Sequence, residues 1–177
     1  LPLPRTHHQS GHPGALAHHP MDTDILVLGG GAAGLMCALT AGRRGRRVTV
    51  LEHNERVGKK IAISGGGRCN FTNLHAGPEN FLSANPAFCR SALARYTPYD
   101  FLALVESHGI PYHEKKLGQQ FCDQSSRAII EMLLAECAAA GVIIRCGCTV
   151  QTVEKSDRFR LETSLGPFTA SSLVVAT

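Results

Sequence analysis

Asp24-Ile-Leu-Val-Leu28 is an unbroken apolar run that ends in three glycines, the pattern of a parallel strand buried on both faces. An Ala- and Leu-rich stretch follows from Ala32 to Arg44 and closes at Gly45, which predicts a helix with a glycine stop. Arg47-Val-Thr-Val-Leu51 is a second β-branched run, and it ends at Glu52. Strand, helix and strand make one β-α-β unit. From His53 to Asn73 the pattern lapses into a long loop, dense in glycine and basic residues; a loop of that length inside a domain has a functional reason as a rule. Asn85-Pro86 and Thr97-Pro98 each predict the start of a helix, the second ending at Gly109. Tyr112–Lys115 and Gln119–Cys122 read as a small hairpin across Leu117-Gly118. Ser125 opens a longer amphipathic helix that runs to Ala140 and stops at Gly141. Val142–Arg145, Thr149–Glu154, Phe159–Thr163 and Leu173–Ala176 are strand-like. The last of these reaches the end of the chain, so the expectation is an interrupted strand and an amino-terminal fragment of a longer protein.

Composition changes this picture only at the edges. An apolar content of 44% over 177 residues suits one globular domain with its own core. The net charge of +4 is too small to argue for nucleic acid by itself. Seven cysteines form no C-x-x-C pair, which argues against a disulfide framework and for a reducing, cytoplasmic setting. Cys146-x-Cys148 falls on an expected strand, so structural thiols are preferred to a metal site, and no metal is expected. The first twenty residues differ in kind. They hold five of the nine histidines and four of the nine prolines, without apolar periodicity. Residues 1–20 are therefore expected to be a disordered extension, with one folded domain over residues 21–177. No stretch is long and apolar enough for a membrane-spanning helix, and no membrane partner is expected.

The chemistry concentrates at two glycine-rich turns. Gly29-x-Gly31-x-x-Gly34 lies between a predicted strand and a predicted helix, with an acid closing the next strand. In such a turn Gly29 permits the sharp bend, Gly31 lets a pyrophosphate approach the backbone, and Gly34 lets helix and strand pack closely. The helix start then offers unpaired N–H groups and a positive dipole end to phosphate. Glu52 lies where a carboxylate accepts hydrogen bonds from ribose hydroxyls, and its charge disfavours a 2′-phosphate there. The plainer alternative, a glycine turn with an incidental surface glutamate, does not account for the flanking strands. Up to this point FAD and NAD are not separated.

The second turn is Ser64-Gly-Gly-Gly-Arg-Cys-Asn70, preceded by Lys59-Lys60 and followed by Phe71-Thr72-Asn73. Gly65, Gly66 and Gly67 expose successive N–H groups in a nest suited to anions or to the polar edge of a flavin. Lys59, Lys60 and Arg68 can neutralise phosphate or hold an anionic substrate. Together, ILVLGGGAAGLMCA, VTVLE, GKKIAISGGGRCNFTN and the terminal LVVAT resemble the HI0933/BaiN-like NAD(P)/FAD-dependent oxidoreductases, also called the aminoacetone oxidase family. The resemblance covers residues 22–177. It implies an α/β fold with a glutathione-reductase-like, Rossmann-like FAD-binding domain, a parallel sheet with a β-meander, and substrate domains outside this chain. It implies FAD as cofactor. By matching motifs, Gly29, Gly31, Ala32, Ala33 and Gly34 lie along the pyrophosphate, with Glu52 and His53 at the ribose. Lys60, Ser64, Gly65, Gly66, Gly67, Arg68, Cys69 and Asn70 line the flavin side. Val150 recognises adenine through its backbone, and Thr177 begins a further cofactor contact. The family often has Phe-Pro where this chain has Phe121-Cys122.

Flavoproteins leave the redox step to the isoalloxazine. The expected function is an FAD-dependent oxidoreductase acting on a small organic molecule, either reducing an activated double bond or oxidising an amine or alcohol, with NAD(P)H as a candidate partner. No catalytic residue is assigned. Cys69 invites a redox-thiol reading because Arg68 would lower its pKa, but a structural place in the flavin loop is preferred. His108 and His113 are read as surface or helix-end residues without a partner. The competing expectation is a flavoprotein of RNA modification, with Arg43, Arg44, Arg46 and Arg47 as its basic face. These arginines are read as a solvated helix end, and no nucleic-acid partner is expected. A third possibility is that the segment alone is inactive and retains flavin weakly.

Overall fold

A computed structural model describes residues 20–177, so apart from Pro20 the expectation of a disordered extension lies outside the described residues. The elements are β1 (Met21–Leu28), α1 (Ala32–Arg43), β2 (Val48–Leu51), α2 (Lys59–Ile63), β3 (Asn70–Asn73), α3 (Arg90–Arg95), α4 (Pro98–Ser107), β4 (Tyr112–Glu114), β5 (Gln119–Cys122), α5 (Arg127–Ala139), β6 (Ile143–Arg145), β7 (Val150–Lys155), β8 (Phe159–Thr163) and β9 (Phe168–Val175). The main sheet has the order β6-β2-β1-β9-β8-β7. Its first four strands are parallel, and β9-β8-β7 form the antiparallel meander. A second sheet, β3-β5-β4, is antiparallel. This is the Rossmann-like α/β architecture that the sequence predicts.

Burial follows the two faces of the sheet. Val27, Val48 and Val50 pack with Ala38 of α1, while Leu35 and Leu39 of α1 meet Ile129, Met132, Leu133 and Cys137 of α5. On the opposite side Leu26 and Leu51 join Leu161, Phe168 and Ala170 of the meander. Both faces of β1 are therefore dry, which is why its sequence is apolar without alternation.

Several elements differ from their sequence-based bounds. β1 begins at Met21, three residues early, because Met21, Asp22 and Thr23 pair with Phe168, Thr169 and Ala170. β9 likewise begins at Phe168 rather than Leu173, and it ends at Val175 opposite Leu28. Residues 53–73 are not structureless: α2, a tight 3₁₀ turn over Ser64–Gly67 and β3 occupy most of the second half. The Ser126 hydroxyl donates to Ala62 C=O at 2.9 Å and the Ser126 N–H to Gly67 C=O at 2.7 Å, so the start of α5 holds this segment in place. Asn85-Pro86 starts no helix. Asn85 accepts from the Ala87 N–H through its side chain at 3.2 Å, an Asx-type turn, and α3 begins only at Arg90. Thr97 does cap α4: its hydroxyl accepts from the Asp100 N–H, and the Asp100 carboxylate accepts from the Thr97 N–H at 2.6 Å. Cys146 and Cys148 lie in the loop between β6 and β7, not on a strand; the Cys148 N–H donates to Glu52 C=O at 2.9 Å.

Candidate functional site

The carboxyl ends of β1 and β2 open onto a cleft of about 550 Å³. Gly29 turns the chain out of β1 with φ +103°, and a Cβ there would stand 2.5 Å from Ala176 C=O. Gly34 lies on the first turn of α1, where a Cβ would stand 1.9 Å from Gly29 C=O. Backbone meets backbone at both places, so only glycine fits. Gly31 is different. A Cβ there would meet nothing within 4 Å. It caps α1 in extended conformation and faces open space in the cleft wall. The first helical bond runs from Leu35 N–H to Gly31 C=O at 3.0 Å, so the N–H groups of Ala32, Ala33 and Gly34 have no intrahelical acceptor.

Glu52 stands across from this helix end and is only 6% exposed. Its Oε2 accepts from Gly30 N–H at 2.7 Å; its Oε1 accepts from Asn54 N–H at 2.8 Å and from the Asn54 amide at 2.7 Å. Burial pushes the Glu52 carboxyl up, but these hydrogen bonds outweigh it and hold the group below its ordinary value. A buried carboxylate that ties the glycine turn to the end of β2 is more than an incidental surface acid. The His53 Nδ1 lies 3.2 Å from Glu52 Oε1.

Twelve of the residues anticipated from sequence line the cleft: Gly29, Gly31, Ala32, Ala33, Glu52, His53, Lys59, Lys60, Ser64, Cys69, Asn70 and Thr177. Gly34 lies beneath it, as its packing role requires. Gly65, Gly66, Gly67 and Arg68 stand off its wall. The three glycines adopt left-handed φ of 57°, 67° and 86°, so the turn depends on backbone handedness rather than on close packing at Gly66 and Gly67. Val150 is half-buried at the start of β7, against the Leu26–Phe168 cluster and away from the cleft wall. Cys69 is buried, with φ +51°. Arg68 does not lower its pKa as anticipated: Arg68 is exposed, and burial pushes the Cys69 thiol up against an opposing hydrogen bond with Ser64.

The apolar wall was not anticipated. Phe71, Phe101, Ile129 and Leu133 come from β3, α4 and α5 and meet only in the folded chain. The Phe71 ring stands edge-on to Tyr112 at 5.7 Å and 6.0 Å from Phe101. A larger groove of about 1080 Å³ adjoins the cleft and shares Asn54 and Lys59 with it. The start of α5 at Ser126-Arg127 lies on its wall, but no glycine turn does, so the glycine turn and the α1 amino terminus belong to the smaller cleft. His108 and His113 each have a partner, contrary to the sequence reading: His108 Nε2 meets Glu136 Oε1 at 2.6 Å and His113 Nδ1 meets Asp123 Oδ1 at 2.7 Å. Neither lines the cleft. Of the arginine cluster, Arg43 pairs with Glu136, and Arg47 with Asp24 at 2.8 Å and Asp22 at 3.4 Å.

Residues 23–177 match the family described as HI0933-like protein Rossmann domain. The chain belongs to the HI0933-like family. Among curated relatives, it is 47% identical over 155 residues to a ribosomal RNA dihydrouridine synthase of Escherichia coli (strain K12), covering 87% of this chain and 39% of that protein. It is 46% identical over 160 residues to a protein of the same name from Haemophilus influenzae, covering 88% and 40%. It is 32% identical over 136 residues to a 3-dehydro-bile acid delta(4,6)-reductase of Clostridium scindens, covering 75% and 33%. The chain thus spans about two fifths or less of the length of these relatives. A solved 3-ketosteroid-delta4-(5alpha)-dehydrogenase from Rhodococcus jostii shares the fold with a TM-score of 0.64 at 17% identity, over 92% of this chain and 47% of that one. L-proline dehydrogenase from P. horikoshii does so with a TM-score of 0.61 at 12% identity, over 90% and 54%. No helix of the described residues is long and apolar enough to cross a membrane.

Proposed function

We propose that this HI0933-like chain is the FAD-binding part of a flavin-dependent reductase that saturates an activated carbon–carbon double bond, with uridine in ribosomal RNA as its substrate. The flavin part rests on one observation: an open glycine cradle at the start of α1 beside a buried, hydrogen-bonded Glu52. These residues suit a dinucleotide. The Gly31, Ala32 and Ala33 backbone supplies donors and a positive dipole end for the pyrophosphate. Glu52 keeps a lone pair free on Oε2 for a ribose hydroxyl, beside His53. Lys60, Ser64, Cys69 and Asn70 hold the flavin side, with Gly65, Gly66, Gly67 and Arg68 on the turn behind them. The family resemblance alone assigns adenine to the Val150 backbone, which stands off the cleft wall, and Thr177 adds a contact beside Gly29.

When bound, FAD supplies two-electron redox chemistry. The chain's own residues bind and orient it, and Phe71, Phe101, Ile129 and Leu133 keep water from that part of the cleft. Dihydrouridine arises by adding two hydrogens across the C5=C6 bond of uracil, a bond conjugated to a carbonyl. The two relatives at 46% and 47% identity carry that activity in their names, and they support this substrate over the small molecule that sequence alone favours. NAD(P)H is the proposed source of electrons. The second reading, reduction of a small enone, draws on the bile-acid reductase at 32% identity.

The test uses the full-length protein and a strain lacking its gene. Denaturing the purified protein is expected to release FAD, and ribosomal RNA from the deletion strain to lack one dihydrouridine that returns on complementation. Release of NAD or of no nucleotide overturns the cofactor. Unchanged dihydrouridine in the deletion strain overturns the RNA substrate and favours the enone.

A further inference from the structure

In residues 79–96 only Cys89 and Leu93 are even half-buried, and α3 has no buried residue at all. A helix that short draws its stability from a packed partner. The segment is aromatic and basic. Phe88, Tyr96 and Tyr99 are 83%, 42% and 61% exposed. Arg90 and Arg95 stand on α3, and no Asp or Glu lies between Glu79 and Asp100. The Asp100 carboxylate is itself occupied by Thr97. Burial and then Asp100 push the Tyr96 hydroxyl up while Arg43 opposes them, so the carboxyl end of α1 lies beside this ring. Arg43 is held by Glu136, and Arg47 by Asp24 and Asp22. Arg44, which caps the end of α1, stays exposed. Among the described residues, Arg44, Arg90 and Arg95 pair with no carboxylate. The other end of the same stretch runs into the cleft, where Phe101 lines the apolar wall shortly after Tyr99. The twelve residues of α1 set the span from the glycine cradle to Arg44 at about 18 Å, from ~1.5 Å per residue.

We propose that this face holds the single-stranded RNA flanking the uridine in the cleft, with Arg44, Arg90 and Arg95 on its phosphates and Phe88, Tyr96 and Tyr99 on its bases. Unpaired bases present flat apolar surfaces that stack on aromatic rings, whatever the sequence. Each phosphate that links them carries a negative charge, and a guanidinium meets it with two parallel N–H donors. Exposed rings interleaved with unpaired arginines match both halves of such a strand. An apolar protein surface would instead desolvate three arginines without supplying counter-charges. A small enone has neither a row of bases nor a row of phosphates, so it makes no use of this face. This rests on the RNA reading of the cleft.

The full-length protein is purified with its flavin, and fluorescence anisotropy follows its binding to an end-labelled oligouridine of about 12 nucleotides over a range of salt. Replacing both Arg90→Ala and Arg95→Ala is expected to weaken binding about tenfold or more. The slope of log affinity against log salt should flatten by roughly 1.4, two phosphate contacts at about 0.7 each. Tyr99→Ala is expected to weaken binding about tenfold with the salt slope unchanged, and both variants to keep the flavin content of wild type. Hydroxyl-radical footprinting of wild type needs no variant: Phe88, Tyr96 and Tyr99 should be oxidised in the free protein and protected by the oligouridine. Wild-type affinity in the variants, or no binding by wild type, overturns the face and leaves the RNA reading to the deletion strain. Rings already shielded without RNA mean that another part of the chain covers them, which also overturns it. Unchanged dihydrouridine in the deletion strain overturns the RNA reading and the face with it.

Discussion

The two glycine turns of this chain look alike in sequence and are held by different physics. At Gly29–Gly34 the chain is crowded: added Cβ atoms would strike Ala176 C=O at 2.5 Å from position 29 and Gly29 C=O at 1.9 Å from position 34. At Gly65–Gly67 a Cβ would strike the Phe121 ring at 2.7 Å from position 65 and meet nothing from positions 66 or 67. Handedness is what the second turn needs, since all three glycines have positive φ. The first turn is therefore part of the packing between sheet and helix. The second is a local conformation pinned from outside by Ser126. Within the first turn, Gly31 stands apart as a glycine that the fold does not need.

The largest effect should come from Gly34→Ala. The new methyl forces α1 away from the turn, an overpacking cost of about 3 kcal/mol that urea unfolding would measure. A variant as stable as wild type would mean that helix and turn are not in contact. Glu52→Gln should cost about 2 kcal/mol at neutral pH, because it weakens hydrogen bonds that a carboxylate accepts better than an amide. Its pH dependence has a definite sign. The folded-state pKa is depressed below the ordinary 4.5, so the contribution is complete above that value and is lost as pH falls through the folded pKa. Wild type and Glu52→Gln should converge in stability in that acid range, and a gap that persists below it would contradict the ionised reading.

Gly66→Ala should cost about 1 kcal/mol, the left-handed penalty with no clash added. A cost as large as that of Gly34→Ala would erase the difference between the two turns. Gly31→Ala should change stability least, by no more than about 0.5 kcal/mol, since its position is extended and open. In the full-length protein the same change should weaken flavin binding by about tenfold or more, measured by fluorescence on titrating the apoprotein with FAD. Equal affinity in Gly31→Ala and wild type would move the pyrophosphate elsewhere.

Much of the cofactor half was legible along the chain. The apolar run Ile25–Leu28, the glycines after it and Glu52 at the end of the next strand are local patterns, and a β-α-β unit is built from local patterns. The tight fit of Gly34 was readable because its spacing from Gly29 sets the geometry. The early starts of β1 and β9 were not. Met21-Asp-Thr and Phe168-Thr-Ala have no strand period of their own, and each is a strand because the other supplies its hydrogen bonds. The five-residue α2 is too short to hold without the Ser126 contacts from 64 residues away. His108 and His113 looked isolated because Glu136 and Asp123 reach them only after folding.

By itself, the sequence determined the glycine turn, the acid opposite it and the α/β class, since each depends on neighbours within one supersecondary unit. Only the tertiary structure decided the apolar wall of Phe71, Phe101, Ile129 and Leu133 and the burial of Glu52. Those features join residues far apart along the chain, and their proximity comes from packing α4, α5 and the small sheet against the β-α-β unit.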